Sequence, residues 1–192
     1  FCGRQTLEEV LEQGEKELYS FNEREYIVSR GEAWTAILLS KILDLPLLSA
    51  TGHILVDRNQ SRAISFCKRS FQGVEKGVVP SFYGRGKNKP VALFPRGGGD
   101  ITGSLIASAV GADVYENWTD VSGFLVCDPR IVPEAKPIRQ ITYKELRELA
   151  YMGASVLHED AIFPVRKAGI PINIKNTNKP EDAGTLIVES TC

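Results

Sequence analysis

The feature that most constrains this chain is a run of three glycines between a strand-like and a helix-like segment. Arg96-Gly97-Gly98-Gly99-Asp100 follows the apolar run Val91–Phe94 and precedes Ile101–Val110, a stretch of small and apolar residues with helical character. Glycine admits positive φ and lets backbone N–H groups come close to a ligand. The helix start behind it adds free donors and the positive end of the helix dipole. Arg96 offers a planar, permanently charged fork for a carboxylate or phosphate. The segment therefore reads as an anion-binding turn, with a tight turn bearing solvated charges as the plain alternative. Neither G-x-G-x-x-G nor G-x-x-x-x-G-K-[ST] occurs, so a phosphate site here uses neither the Rossmann nor the Walker loop.

The rest of the chain repeats this strand and helix alternation. Thr6 and Glu9 form a T-x-x-E capping box ahead of Leu7, Val10, Leu11 and Leu18 at helical spacing. Tyr26-Ile27-Val28 reads as a short strand ending at Ser29-Arg30-Gly31-Glu32. A helix from Trp34 follows, closed by Pro46. Leu47–Leu48, Ile54–Val56 and Val78–Tyr83 are further apolar runs, and Ser61–Phe71 reads as a helix. In the second half, Asp113–Trp118 is expected as a strand. Thr142 and Glu145 form another capping box, and Gly153 is placed to stop the helix they start. A helix at Asp160–Lys167 ending at Gly169, then strands at Ile170–Lys175 and Thr185–Val188, complete the pattern. The alternation predicts an α/β fold with a largely parallel sheet flanked by helices, most economically a single domain.

Composition narrows the function. Lys+Arg is 23 and Asp+Glu is 24 in 192 residues, a net charge of −1 that lacks the footprint of a general nucleic-acid binder. The longest apolar stretch, Ala33 to Ala50, is broken by Lys41, Asp44 and Pro46 and does not span a bilayer. Cys2, Cys67, Cys127 and Cys192 form no C-x-x-C pair and read as incidental thiols of a reducing compartment. His53 and His158 lack metal-ligand spacing, so no metal site is expected from protein ligands alone.

Two further segments can carry chemistry. Thr119 and Asp120, within Trp118-Thr119-Asp120-Val121-Ser122-Gly123, end a strand, where open α/β sheets present ligand groups. An Asx-rich turn explains them equally well. Ser29-Arg30-Gly31-Glu32 sets a carboxylate at an expected strand-to-helix junction. A cation-binding Glu32 and a Glu favoured by the helix dipole both fit.

Taken in order, these segments resemble the amino acid kinase family, and within it the aspartate kinases (aspartokinases). The resemblance is carried by Ser29-Arg30-Gly31-Glu32, Pro80-Ser81-Phe82-Tyr83-Gly84, Arg96 to Asp100, and Trp118-Thr119-Asp120-Val121-Ser122-Gly123. Asp128-Pro129-Arg130, Gly153-Ala154-Ser155-Val156-Leu157-His158, Lys175-Asn176-Thr177 and Gly184-Thr185 continue it. It implies a cytoplasmic enzyme that transfers the ATP γ-phosphoryl group to the β-carboxylate of L-aspartate, with Mg²⁺, toward lysine, threonine and methionine. Relatives commonly dimerise, so it also implies a homodimer, with no nucleic-acid or membrane partner. Glu32 would hold the substrate amino group, and Phe82, Arg96, Gly97 and Gly99 would line the aspartate pocket. Arg96 and Asp100 would be the catalytic residues. Thr119, Asp120, Leu125, Asp128, Arg130 and Ser155 would meet the nucleotide.

Departures qualify the resemblance. Gly99 stands where the family usually has Ser, Leu125 where Tyr is frequent, and Ser155 where many members carry a Lys. No Lys-Phe-Gly-Gly motif precedes Ser29 and no ACT regulatory pair follows Thr185. Together with an opening at Phe1 rather than Met, this leads us to expect the C-terminal portion of a kinase domain, inactive alone. Two other readings stay open: a glutamate, acetylglutamate or UMP kinase relative, and a non-catalytic module that binds aspartate or nucleotide.

Overall fold

The computed structural model describes residues 8–12, 24–127, 131–132, 134–151, 157 and 159–190. Two compact units divide the chain, residues 1–102 and 103–192. Thr6 of the first capping box lies outside the described residues, although 8–12 are helical.

The first unit opens with a long helix, α1 (Arg24–Leu43). This corrects the expected strand at Tyr26-Ile27-Val28 and moves Glu32 from a strand-to-helix junction to mid-helix. The β-branched run is only two residues long, and both side chains face outward, Ile27 at 40% and Val28 at 50% exposure. Helical i to i+4 spacing instead stacks the Arg30 guanidinium 4.0 Å from the Tyr26 ring centroid. Gly31 has open space around it and costs the helix no more than its intrinsic propensity. Past Leu43 the chain turns through Asp44 at φ 51°, and Pro46 prevents the helix from resuming.

A short helix α2 (Ala50–His53), strand β1 (Leu55–Val56) and helix α3 (Gln60–Ser70) come next. α3 is capped by Asn59, whose side-chain oxygen accepts from the Arg62 amide at 3.1 Å. Strands β2 (Tyr83–Gly86) and β3 (Ala92–Leu93) complete a three-stranded sheet of order β1-β2-β3. The apolar run Val78–Tyr83 reaches β2 only at its last residue, Tyr83. Pro80 has no N–H to give a ladder, so the run is split: Val78 bridges to Leu47, and Tyr83 pairs with Leu93 as the first residue of β2. Helix α4 (Gly98–Val110) begins three residues before the expected Ile101.

The second unit carries strands β4 (Tyr115–Thr119), β5 (Gln140–Thr142), β6 (Ile172–Asn176) and β7 (Thr185–Val188), in the order β4-β6-β7-β5. Helices α5 (Tyr143–Tyr151) and α6 (Glu159–Lys167) lie between β5 and β6 in sequence. The α/β class holds. Three of the five described strand pairings are parallel, and β2–β3 and β6–β7 are antiparallel. The core side of this sheet is Ile141, Ile172, Ile174 and Ile187, packed with Tyr143, Leu146 and Val165. Period-two alternation explains the choice, since Ile172 and Ile174 point one way and Asn173 and Lys175 the other. Pro164 sits inside α6 and disturbs its ladder. There the Val165 amide donates to the Ser104 hydroxyl at 3.3 Å. Among the described residues no helix is long and apolar enough to cross a membrane.

The second capping box forms as expected. The Glu145 amide donates to Thr142 Oγ1 at 3.2 Å, and the Thr142 amide donates to Glu145 Oε2 at 2.7 Å. That backbone bond, with the one from the Thr142 hydroxyl, holds the Glu145 carboxyl below its ordinary pKa. Gly153 lies outside the described residues.

Two stability measurements follow. Thr142→Ala should lower the unfolding free energy in urea by about 1 kcal/mol at neutral pH. A depressed folded pKa gives stability that is present above the ordinary carboxyl pKa and fades as pH falls through the lowered one. The deficit of Thr142→Ala should therefore shrink in acid. Gly184, at φ 75°, has no room for a β-carbon, which would collide with the Ile174 carbonyl oxygen. Gly184→Ala should cost about 2–4 kcal/mol. An unchanged urea midpoint would contradict this packing.

Candidate active site

In the first unit, one hydroxyl joins the glycine-rich turn to Phe82. Thr102 Oγ1, 2% exposed, donates to the Gly98 carbonyl at 2.8 Å and accepts from the Phe82 amide at 3.1 Å. The Phe82 carbonyl accepts from the Phe94 amide at 2.9 Å. Held from both sides, Phe82 adopts φ 54°, left-handed backbone that a bulky residue takes only under constraint. Ser81, next in the chain, holds Glu32: its amide and its hydroxyl both donate to Glu32 Oε1, at 3.1 and 2.8 Å.

The three glycines have different reasons to be there. Gly97 sits at φ 81°. A β-carbon on Gly98 would lie 2.9 Å from the β-carbons of both Phe82 and Phe94, so close approach demands its absence. Gly99 is constrained by neither. Its β-carbon would meet only the Ser81 hydroxyl, at 3.7 Å, an ordinary contact. The first-turn amides of α4 have no acceptor within the helix and give the donors that sequence reasoning expected. Arg96 is exposed in the turn, and Asp100 is partly buried in the first helical turn, where the dipole favours a carboxylate.

Glu32, Phe82, Gly97 and Gly99 are thus gathered by one set of contacts. A cavity of about 400 Å³ also indents this unit, on the stripe of α1 formed by Tyr26, Arg30, Ala33 and Ile37. Glu32, Phe82 and Arg96 are not among its walls. Sequence reasoning missed Ser81 and Thr102 as working residues. Their hydroxyls bond partners 49 and 20 positions away, which no local pattern reveals.

In the second unit, the carboxyl ends of β4 and β6 carry two loops tied together. The Thr119 carbonyl accepts from both the amide and the hydroxyl of Thr177, at 2.8 and 2.9 Å. Ser122 Oγ donates to Asp182 Oδ2 at 2.5 Å and accepts from Asn176 Nδ2 at 2.9 Å. The Lys175 ammonium donates to the carbonyls of Pro180 and Asp182. Gly123, at φ 92°, lies against Thr185, whose hydroxyl takes up the Phe124 amide. Thr119 and Asp120 sit on this platform, with Asp120 exposed and accepting from the Thr119 hydroxyl at 3.2 Å. Leu125, beyond it, bridges to Pro137. Asp128, Arg130 and Ser155 lie outside the described residues. Asn176 and Asp182 were not singled out from sequence, although Asn176 falls in one of the motifs that carried the resemblance.

Comparison with known proteins identifies the family and the fold. The sequence matches the amino acid kinase family over residues 4–176. Aspartokinase 3 of Bacillus subtilis is 47% identical over 111 residues, 58% of this chain and 24% of that protein. The crystal structure of Clostridium acetobutylicum aspartate kinase superposes with a TM-score of 0.87 at 49% identity, over 96% of this chain and 43% of that one. E. coli aspartokinase III, crystallised with aspartate and ADP, gives a TM-score of 0.78 at 28% identity, over 98% of this chain and 47% of that one. The chain spans less than half the length of each of these relatives. By family match, fold and sequence it belongs to the amino acid kinase family, as a homologue of the aspartokinases.

Proposed function

We propose that this chain supplies the aspartate-binding and nucleotide-binding walls of an aspartokinase that phosphorylates the β-carboxylate of L-aspartate with ATP. The observation that carries the reading is the Glu32 carboxylate, fixed by Ser81 beside the Gly97–Gly99 turn and the start of α4. An amino acid has an ammonium and a carboxylate to be recognised at once. Glu32 suits the first; Arg96 and the first-turn amides of α4 suit the second. A relative crystallised with aspartate and ADP supports the choice of ligands.

In the reaction, a β-carboxylate oxygen attacks the γ-phosphorus, the bond from that phosphorus to the ADP oxygen breaks, and ADP leaves. Such transfer depends on positioning and charge neutralisation more than on covalent help from the protein. In this proposal Phe82, Gly97 and Gly99 shape the acceptor pocket, and Arg96 and Asp100 are the catalytic residues, with Arg96 orienting the acceptor. Thr119, Asp120, Leu125, Asp128, Arg130 and Ser155 contact the nucleotide. Mg²⁺ bound together with ATP would supply neutralisation of phosphate charge. The enzyme works in the cytoplasm as a homodimer, which fractionation and gel filtration check, within the pathway to lysine, threonine and methionine.

A coupled ADP-release assay on the full-length gene product tests the activity. Aspartate-dependent turnover is expected. Its absence at millimolar aspartate, or turnover with glutamate or UMP instead, would sink the proposal. Arg96→Ala should lower kcat/KM for aspartate by about 10- to 100-fold, the worth of one charge-assisted contact, while KM for ATP stays near its starting value. The 192 residues taken alone contain no Lys-Phe-Gly-Gly motif to clamp phosphates. Calorimetry on them should show binding of aspartate or ADP without turnover. Robust ADP production by this chain would contradict that division of labour.

A further inference from the structure

We propose that the Ser81 hydroxyl is itself a substrate-binding group, accepting one N–H of the amino acid's ammonium beside Glu32, and that it does from the β2 side what a hydroxyl on residue 99 would do from α4. The inference rests on the aspartate reading above.

The atoms lead there in three steps. Ser81 Oγ gives its only proton to Glu32 Oε1 at 2.8 Å, which leaves the oxygen as an acceptor. Glu32 Oε1 also takes the Ser81 amide, at 3.1 Å, while Oε2 accepts no hydrogen bond from the described residues. Ser81 Oγ and Glu32 Oε2 are therefore adjacent acceptors at the same corner of the pocket. A primary ammonium has three N–H donors, so a single free carboxylate oxygen underserves it and a neighbouring hydroxyl oxygen improves the match.

The second half of the proposal comes from Gly99. Unlike Gly97 it adopts ordinary helical backbone, and unlike Gly98 it has open space about it. The one atom its missing β-carbon would approach is Ser81 Oγ, at 3.7 Å. A hydroxyl one bond beyond that β-carbon reaches the region Ser81 Oγ now occupies. One pocket hydroxyl is thus enough, and either β2's approach or α4's first turn can supply it. In this chain it comes from Ser81.

The test is a set of titrations of this chain with L-aspartate, with succinate, which is aspartate without its amino group, and with ADP. Ser81→Ala should weaken aspartate about tenfold, the worth of one hydrogen bond to a charged group, and leave succinate and ADP unchanged. Ser81→Ala with Gly99→Ser should return aspartate to within about threefold of the parent. Sparing of succinate separates ligation from a general loosening of the pocket. If Ser81→Ala unfolds the chain, Ser81→Cys, similar in size but a weak acceptor, serves for the same comparison. Failure of the parent to bind aspartate would overturn the aspartate reading and this inference with it. Parent binding that Ser81→Ala leaves intact, that falls in parallel for succinate, or that Gly99→Ser does not restore would overturn this inference alone.

Discussion

The first unit depends on one buried hydroxyl. Thr102 sits a turn into α4 and faces back toward Phe82, with its proton on the Gly98 carbonyl and its lone pair on the Phe82 amide. Three separate requirements follow from that bridge. Gly98 must lack a β-carbon, because the bridge brings it against Phe82 and Phe94. Phe82 must hold left-handed backbone, because its amide is aimed into the helix. Ser81 is then carried to Glu32, because it is bonded in sequence to a residue whose dihedrals are fixed. A motif that reads as a flexible glycine run is, in the fold, a rigid joint.

The second unit reaches a similar end by another means. No single hydroxyl dominates; the loops after β4 and β6 share a ladder of side-chain bonds in which Ser122, Asn176 and Asp182 satisfy one another. Thr177 ties the same loops through the Thr119 carbonyl. Lys175 spends its charge on the carbonyls of its own loop, so it stiffens the platform rather than offering a mobile cation. Open α/β sheets present their ligand groups at the carboxyl ends of strands, and these loops stand there.

What the sequence revealed depended on how local the causes were. Thr142 and Glu145 are three residues apart, and their reciprocal capping was legible before any coordinates. The strand Thr185–Val188 and the helix over Gln60–Ser70 were readable for the same reason, from periodicity within one element. Tyr26-Ile27-Val28 misled because two β-branched residues look like a strand, while the surrounding helix decides their state. β5, three residues long and directly ahead of a cap, left no pattern at all. In the pocket, Glu32, Phe82, Arg96 and the glycines were recognisable as motif residues. Thr102 was not, and Ser81, although inside one of those motifs, was given no role, since what both do is set by partners far along the chain.

Phe82 places two demands on one residue. Its φ of 54° suits glycine or asparagine, and a phenyl side chain holds that conformation at a standing cost of about 1–3 kcal/mol. In the proposed aspartate pocket, however, its ring supplies an apolar wall. Selection for thermal robustness and selection for ligand recognition therefore pull this position in opposite directions. A library screened only for stability would drift toward Gly or Asn at 82 and erase that proposed wall while improving the scaffold.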